Sequence, residues 1–133
     1  MANFPALEWF QHARERTNAD PAFRKLGTAD ARFGVRQGDT IVEVQLDAFE
    51  IGTIATRSED EVRELDFCLE MSAEQWGAYL DGLRGTGTRR SISDVDLLTP
   101  GGVVRAVNAR GAIVMPRYLL SIDRFFANGA QAN

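Results

Sequence analysis

At Ser72 the apolar residues of this chain change period. From Ala31 onward they recur at every second position, and after Ser72 at every third or fourth. A period of two belongs to a half-buried strand and a period of three to four to an amphipathic helix, so the chain passes there from sheet to helix. The junction is Glu64-Leu65-Asp66-Phe67-Cys68-Leu69-Glu70-Met71 running into Ser72-Ala73-Glu74-Gln75-Trp76. Ser72 and Gln75 stand at capping-box spacing, Trp76, Tyr79, Leu80 and Leu83 fall at helical spacing, and Gly85 ends the helix.

Upstream, Ala31, Phe33 and Val35 alternate with Arg32, Gly34 and Arg36, and Gly38-Asp39 supplies a turn. Val42, Val44, Leu46 and Ala48 then share a face opposite Glu43, Gln45 and Asp47. The phase slips at Ala48-Phe49, where Phe49, Ile51, Thr53 and Ala55 continue the apolar set one residue out of step. A bulge or a turn is therefore expected there. Arg57 to Glu61 reads as a solvated hairpin end. Leu65, Phe67, Leu69 and Met71 give a last inner face, with Glu64, Asp66, Cys68 and Glu70 outside.

Before the sheet, Asn3 or a neighbour with Pro5 opens a helix carrying Leu7, Trp9, Phe10 and Ala13 on one side. Asp20-Pro21 opens a shorter helix that Gly27 stops. After Gly85 come a flexible basic loop to Arg90 and a segment from Ile92 to Leu98 that fits helix or strand. A final strand follows from Val103 to Val107. A last helix begins around Ala112 or Pro116 and reaches Phe126, with Met115, Leu119, Ile122 and Phe126 in one stripe widened by Tyr118 and Phe125. Arg117, Ser121 and Arg124 are left for water. This stripe makes the helix a candidate movable cover, with Phe125 and Phe126 near its entrance, or a surface for a second copy or a partner protein.

The 133 residues suit one domain, residues 1–133, with its own core. The net charge of −4 argues against non-specific nucleic-acid binding. A single cysteine forms no intrachain disulfide and fits a cytoplasmic setting. No apolar run approaches the roughly 20 residues of a membrane span, and the start has no signal-peptide pattern.

Chemistry is sparse. His12 is the one histidine, and its spacing points to no orienting carboxylate. One Cys and one His do not make a usual zinc set, and no cofactor is expected. Cys68 lies between Asp66 and Glu70, whose charges disfavour a thiolate. Asp94 and Asp96 alternate with Val95 and Leu97 and are expected to face water. The Gly85-Thr86-Gly87 loop follows a helix rather than a strand, unlike a nucleotide cradle.

The order of elements, with the Asp66-bearing strand running into Ser72-Ala73-Glu74-Gln75-Trp76, the Gly85 helix end, the strand from Val103 and the apolar helix to Phe126, resembles the sterol-carrier-protein type 2-like family over roughly residues 5 to 127. The resemblance implies an α+β fold: a mainly antiparallel sheet of about five strands backed by helices, with an apolar tunnel between them for a lipid, sterol or acyl chain. It also implies no catalytic residues. Phe33, Val44, Leu46, Phe67, Trp76, Leu80, Leu119, Phe125 and Phe126 are the candidate tunnel wall. Many members carry Gly-Asp before the last helix, where this chain has Gly111-Ala112. The expected function is a non-catalytic carrier of a hydrophobic small molecule. A small α+β enzyme of isomerase or cyclase type, using an inward His12, Tyr79 or Asp123, and an accessory subunit stay open beside it.

Overall fold

The structure is a computed structural model, and it describes residues 3–131. Helix α1 (Leu7–Asn18) starts at Ala6, which makes no side-chain cap; the Asn3 contribution is a carbonyl that accepts from the Ala6 N–H at 2.7 Å. Helix α2 (Pro21–Arg24) is capped by Asp20 as its Asp-Pro start predicts, the carboxylate accepting from the Ala22 N–H at 2.9 Å.

Strands β1 (Ala29–Gln37), β2 (Thr40–Ala48) and β3 (Glu50–Arg57) form an antiparallel meander. The phase slip has two causes. Ala48 takes a left-handed φ of 56° in the turn, which leaves Phe49 in solvent. Then β3 advances three positions, from Ile51 to Ile54, where β2 advances two, from Val44 to Leu46. The inner face thus passes from Ile51 to Ile54, and Phe49, Thr53 and Ala55 do not form the expected set.

The segment after β3 is not a hairpin end. It forms a 3₁₀ turn (Glu59–Glu64), crosses the back of the sheet and returns as β4 (Phe67–Glu70), parallel to β1. With β5 (Val104–Ala106) antiparallel to β4, the order is β3-β2-β1-β4-β5. The sheet is mixed rather than purely antiparallel, because the open edge of β1 is filled by a strand arriving from behind.

That crossover also buries two residues behind the sheet. Leu65, expected on the inner face, joins Cys68, which keeps its expected outer face, at the back of the sheet. A Cβ on Gly34 would lie 2.7 Å from Cys68 Sγ and 2.9 Å from a Leu65 methyl. Both side chains are buried there, with Ile41, under the crossing segment. Burial, and then the Glu70 charge, push the Cys68 thiol up to about 11.

Beside this patch Glu43 is 2% exposed and accepts from Arg32 Nε and Arg57 Nε, each at 2.7 Å. Burial alone would raise its pKa, but hydrogen bonds from Arg32 and Arg57 more than reverse this and leave it lowered.

On the front face lie α1, α3 (Ala73–Arg84) and α5 (Ala109–Ala130), with α4 (Ile92–Leu98) settling the ambiguous segment as helix. The Ser72–Gln75 capping box forms in both directions, at 3.1 and 3.0 Å. Helix α5 starts earlier than expected, at an Asn108 cap that accepts from the Gly111 N–H at 2.7 Å, and runs past Phe126. Gly111, outside the expected helix, is helical, and the Asp66 carbonyl occupies the space of its missing Cβ. Ser121 is buried rather than left to water. Two ties hold α1, α2 and α5 in place. Asn18 exchanges hydrogen bonds with the backbone of Ile51 at 2.7 and 3.1 Å, and Asp20 accepts from Arg124 at 2.6 Å and Asn128 at 3.0 Å. The Arg124 bond leads in holding the Asp20 carboxyl down to about 2.

Candidate functional site

Eight of the nine candidate tunnel residues are buried and Leu119 is half-buried. Phe33 and Phe67, neighbours across the parallel β1–β4 pair, stack at 5.6 Å with rings 7° from parallel. Trp76 lies 5.2 Å from Phe126, which lies 5.3 Å from Phe125, and Phe4, Trp9, Phe10 and Tyr79 complete one aromatic cluster. Edge-to-face and tilted pairs at these separations are favourable packing contacts. Trp76 also donates its indole N–H to the Arg36 carbonyl at 3.0 Å. Phe125 and Phe126 are fully buried and not at an entrance, because α5 lays them against α1 and α3. The second half of α5 is core, not a loose cover.

One concavity opens beside that core. A cleft of about 540 Å³ lies between α3, the loop after it and α4, with Ala78, Tyr79, Val95 and Leu98 among its apolar walls. Gln75, Asp81, Thr86, Thr88, Arg90 and Thr99 supply its polar rim. The loop is built onto α3, not splayed from it. Gly82 lies under the loop, where a Cβ would collide with the Thr88 carbonyl and come within 2.9 Å of Arg89 Cα. Thr86 donates to the Asp81 carbonyl from its N–H at 2.9 Å and its hydroxyl at 3.2 Å. Gly85, left-handed at φ 86°, makes the turn.

Behind the cleft floor the Tyr79 hydroxyl donates to Asp123 Oδ1 at 2.7 Å, and the same oxygen accepts from the Ile92 N–H at 2.9 Å. Burial raises the Asp123 pKa against those two bonds, and burial followed by the Asp123 charge raises that of Tyr79 well above its ordinary value. Asp123 thus pins the start of α4 to α3 and α5. Helix α4 is held at its other end by Gln75 donating to Thr99 at 3.1 Å, while Asp96 accepts from the Val103 and Val104 N–H groups at 2.7 and 3.0 Å. Asp96 therefore binds backbone instead of facing water. His12 is exposed on α1, away from these groups. Among the described residues no three His, Cys, Asp or Glu side chains gather as a metal site.

The nine candidate residues come together, but as one packed interior, with none of them on the cleft. Of the cleft residues the sequence singled out Tyr79 and the basic loop ending at Arg90, and the others escaped it because the α4 segment fitted helix or strand equally. Their one signal was Gly82, a helix-interior glycine next to the glycine-rich loop.

No family model matches the chain, and no curated protein matches it. Among solved structures, the solution structure of a conserved hypothetical protein from Thermus thermophilus, put forward as a candidate sterol carrier protein, matches at a TM-score of 0.66. The alignment covers 99% of this chain and 92% of that one at 17% identity. At that identity the likeness speaks to the fold: this protein has the α+β fold of that neighbour, a five-stranded mixed sheet backed by helices.

Proposed function

We propose that this protein is a non-catalytic binding or carrier domain for a hydrophobic small molecule. The observation that carries the reading is the cleft of about 540 Å³ between α3 and α4, within the range of about 300–1,000 Å³ usual for small-molecule sites, with more apolar than polar surface exposed inside it and a polar rim. The neighbour's description as a candidate sterol carrier supports the same class of ligand. Leu98, 62% exposed on α4, gives the mouth an apolar lip. Phe33, Val44, Leu46, Phe67, Trp76, Leu80, Leu119, Phe125 and Phe126 serve this reading as the packed apolar core on which the cleft floor rests.

Titration with a fluorescent fatty acid or sterol tests the reading, and saturable binding with a stoichiometry near one is expected. Native mass spectrometry of the purified protein should show a co-purified lipid. Absence of saturable binding at micromolar protein overturns it.

A second reading has its own observation. Ile113 and Leu120, 61% and 71% exposed, stand two helical turns apart on α5 and suit a protein partner or second copy. Light scattering of wild type and Leu120→Asp decides: a dimer lost in the variant favours the interface.

A further inference from the structure

We infer that the α3–α4 cleft takes an amphipathic monoanion, an aliphatic carboxylate whose head meets Arg90 and whose chain lies along Ala78, Val95 and Leu98; this rests on the carrier reading and specifies its ligand. Two ionic side chains line the cleft, Asp81 and Arg90. Asp81 is matched by Arg84, whose Nη1 stands 3.0 Å from its carboxylate. Arg90 makes no ion pair and no side-chain hydrogen bond among the described residues, and it is exposed. Once the Asp81–Arg84 pair is counted, the cleft offers an apolar trough with one uncompensated guanidinium at its rim.

The position of that guanidinium is built into the fold. The loop backbone lies so close on Gly82 that no side chain fits there, and its first turn is bonded to the Asp81 carbonyl. Backbone pinned in this way presents the next residues at a fixed place, whereas a free loop would spend ordering entropy on each binding event. The neighbouring Arg89 contributes differently: its charge offsets a small part of the rise that burial imposes on Asp123 and Tyr79. Arg90 is left for a ligand. A guanidinium pairs with a carboxylate through two parallel N–H bonds, which gives the head a fixed orientation that a neutral hydroxyl cannot reproduce.

The experiment is calorimetric titration of the full chain with dodecanoate and with dodecanol, both below their aggregation limits, on wild type, Arg90→Ala, Arg90→Lys and Ala78→Trp. Dodecanoate should bind wild type about tenfold more tightly than dodecanol. Arg90→Ala should erase that preference while leaving dodecanol unchanged, and Arg90→Lys should retain part of it. Ala78 is exposed on α3, so Ala78→Trp fills the cleft without touching the core and should abolish binding of both. Equal affinity of wild type for the two ligands, or a preference unmoved in Arg90→Ala, overturns the anion assignment and leaves the carrier reading standing. Binding unchanged in Ala78→Trp, with an unaltered melting curve, overturns the cleft as the location. Failure of both ligands to bind wild type, with a neutral fluorescent sterol still bound, overturns the inference alone. Failure of the sterol as well overturns the carrier reading too.

Discussion

Glu43 and Asp123 are both carboxylates within the fold, and their surroundings drive them in opposite directions. Glu43 sits between two guanidinium groups and its pKa is lowered. Its contribution is complete above the unfolded carboxylate pKa and is lost as pH falls through the folded value. Asp20, held down to about 2 chiefly by Arg124, behaves in the same way. Asp123 is raised by burial, so the folded chain binds its proton more tightly than the unfolded one, and its contribution declines as pH rises through the folded pKa. Glu43→Gln should cost about 1.5–3 kcal/mol in urea denaturation at neutral pH, the worth of hydrogen bonds to a charged group. It should also flatten the acid limb of the stability profile. Asp123→Asn keeps an oxygen that can accept from Tyr79 and Ile92 and removes the buried charge. Its melting temperature at neutral pH should equal or exceed that of wild type, with a weaker decline between acid and neutral pH. Alternation marked Glu43 as outward, which is correct. That outward meant buried under a crossing segment depended on Arg57 and on the path from β3 to β4.

At the scale of elements, α3 shows what local sequence determines. Its Ser72–Gln75 box, its buried Trp76, Tyr79, Leu80 and Leu83 and its Gly85 terminus all follow from spacing, and all are present. Ser72→Ala should lower stability by about 1 kcal/mol in thermal or urea melts. Gly82 separates local from tertiary demands within the same helix. On propensity alone, glycine to alanine in a helix interior gains about 1 kcal/mol. Here the Thr88 carbonyl occupies the space, so Gly82→Ala should destabilise and should loosen the loop, visible as faster amide exchange over residues 86–90. Helix α5 departs from its sequence reading for a similar reason. A start at Ala112 or Pro116 is expected from the sequence, but the Asn108 cap and the close Asp66 backbone make the helix continuous from Ala109.

At the scale of the molecule, α5 closes the core. Beyond Arg117 it carries Ile122, Phe125, Phe126, Ala127 and Ala130, all buried against α1, α3 and the sheet. Losing a buried phenylalanine costs about 3–5 kcal/mol, and two of them approach the total stability of an ordinary domain, about 5–15 kcal/mol. A chain ending at Arg117 should therefore be unfolded by circular dichroism, whereas a detachable cover would leave native dispersion in its NMR spectrum. The sequence by itself determined which side of β1, β2, β4 and the main helices is apolar, where α3 begins and ends, and that the chain is an α+β protein, because periodicity, caps and turn glycines are properties of neighbouring residues. The tertiary structure alone decided that β4 enters parallel to β1, that Leu65 and Cys68 form a second small core behind the sheet, and that the aromatic residues fill one another's space while the cleft lies between α3 and α4. Those outcomes depend on which surfaces meet across long separations, and alternation along the chain is the same whichever neighbour a face eventually finds.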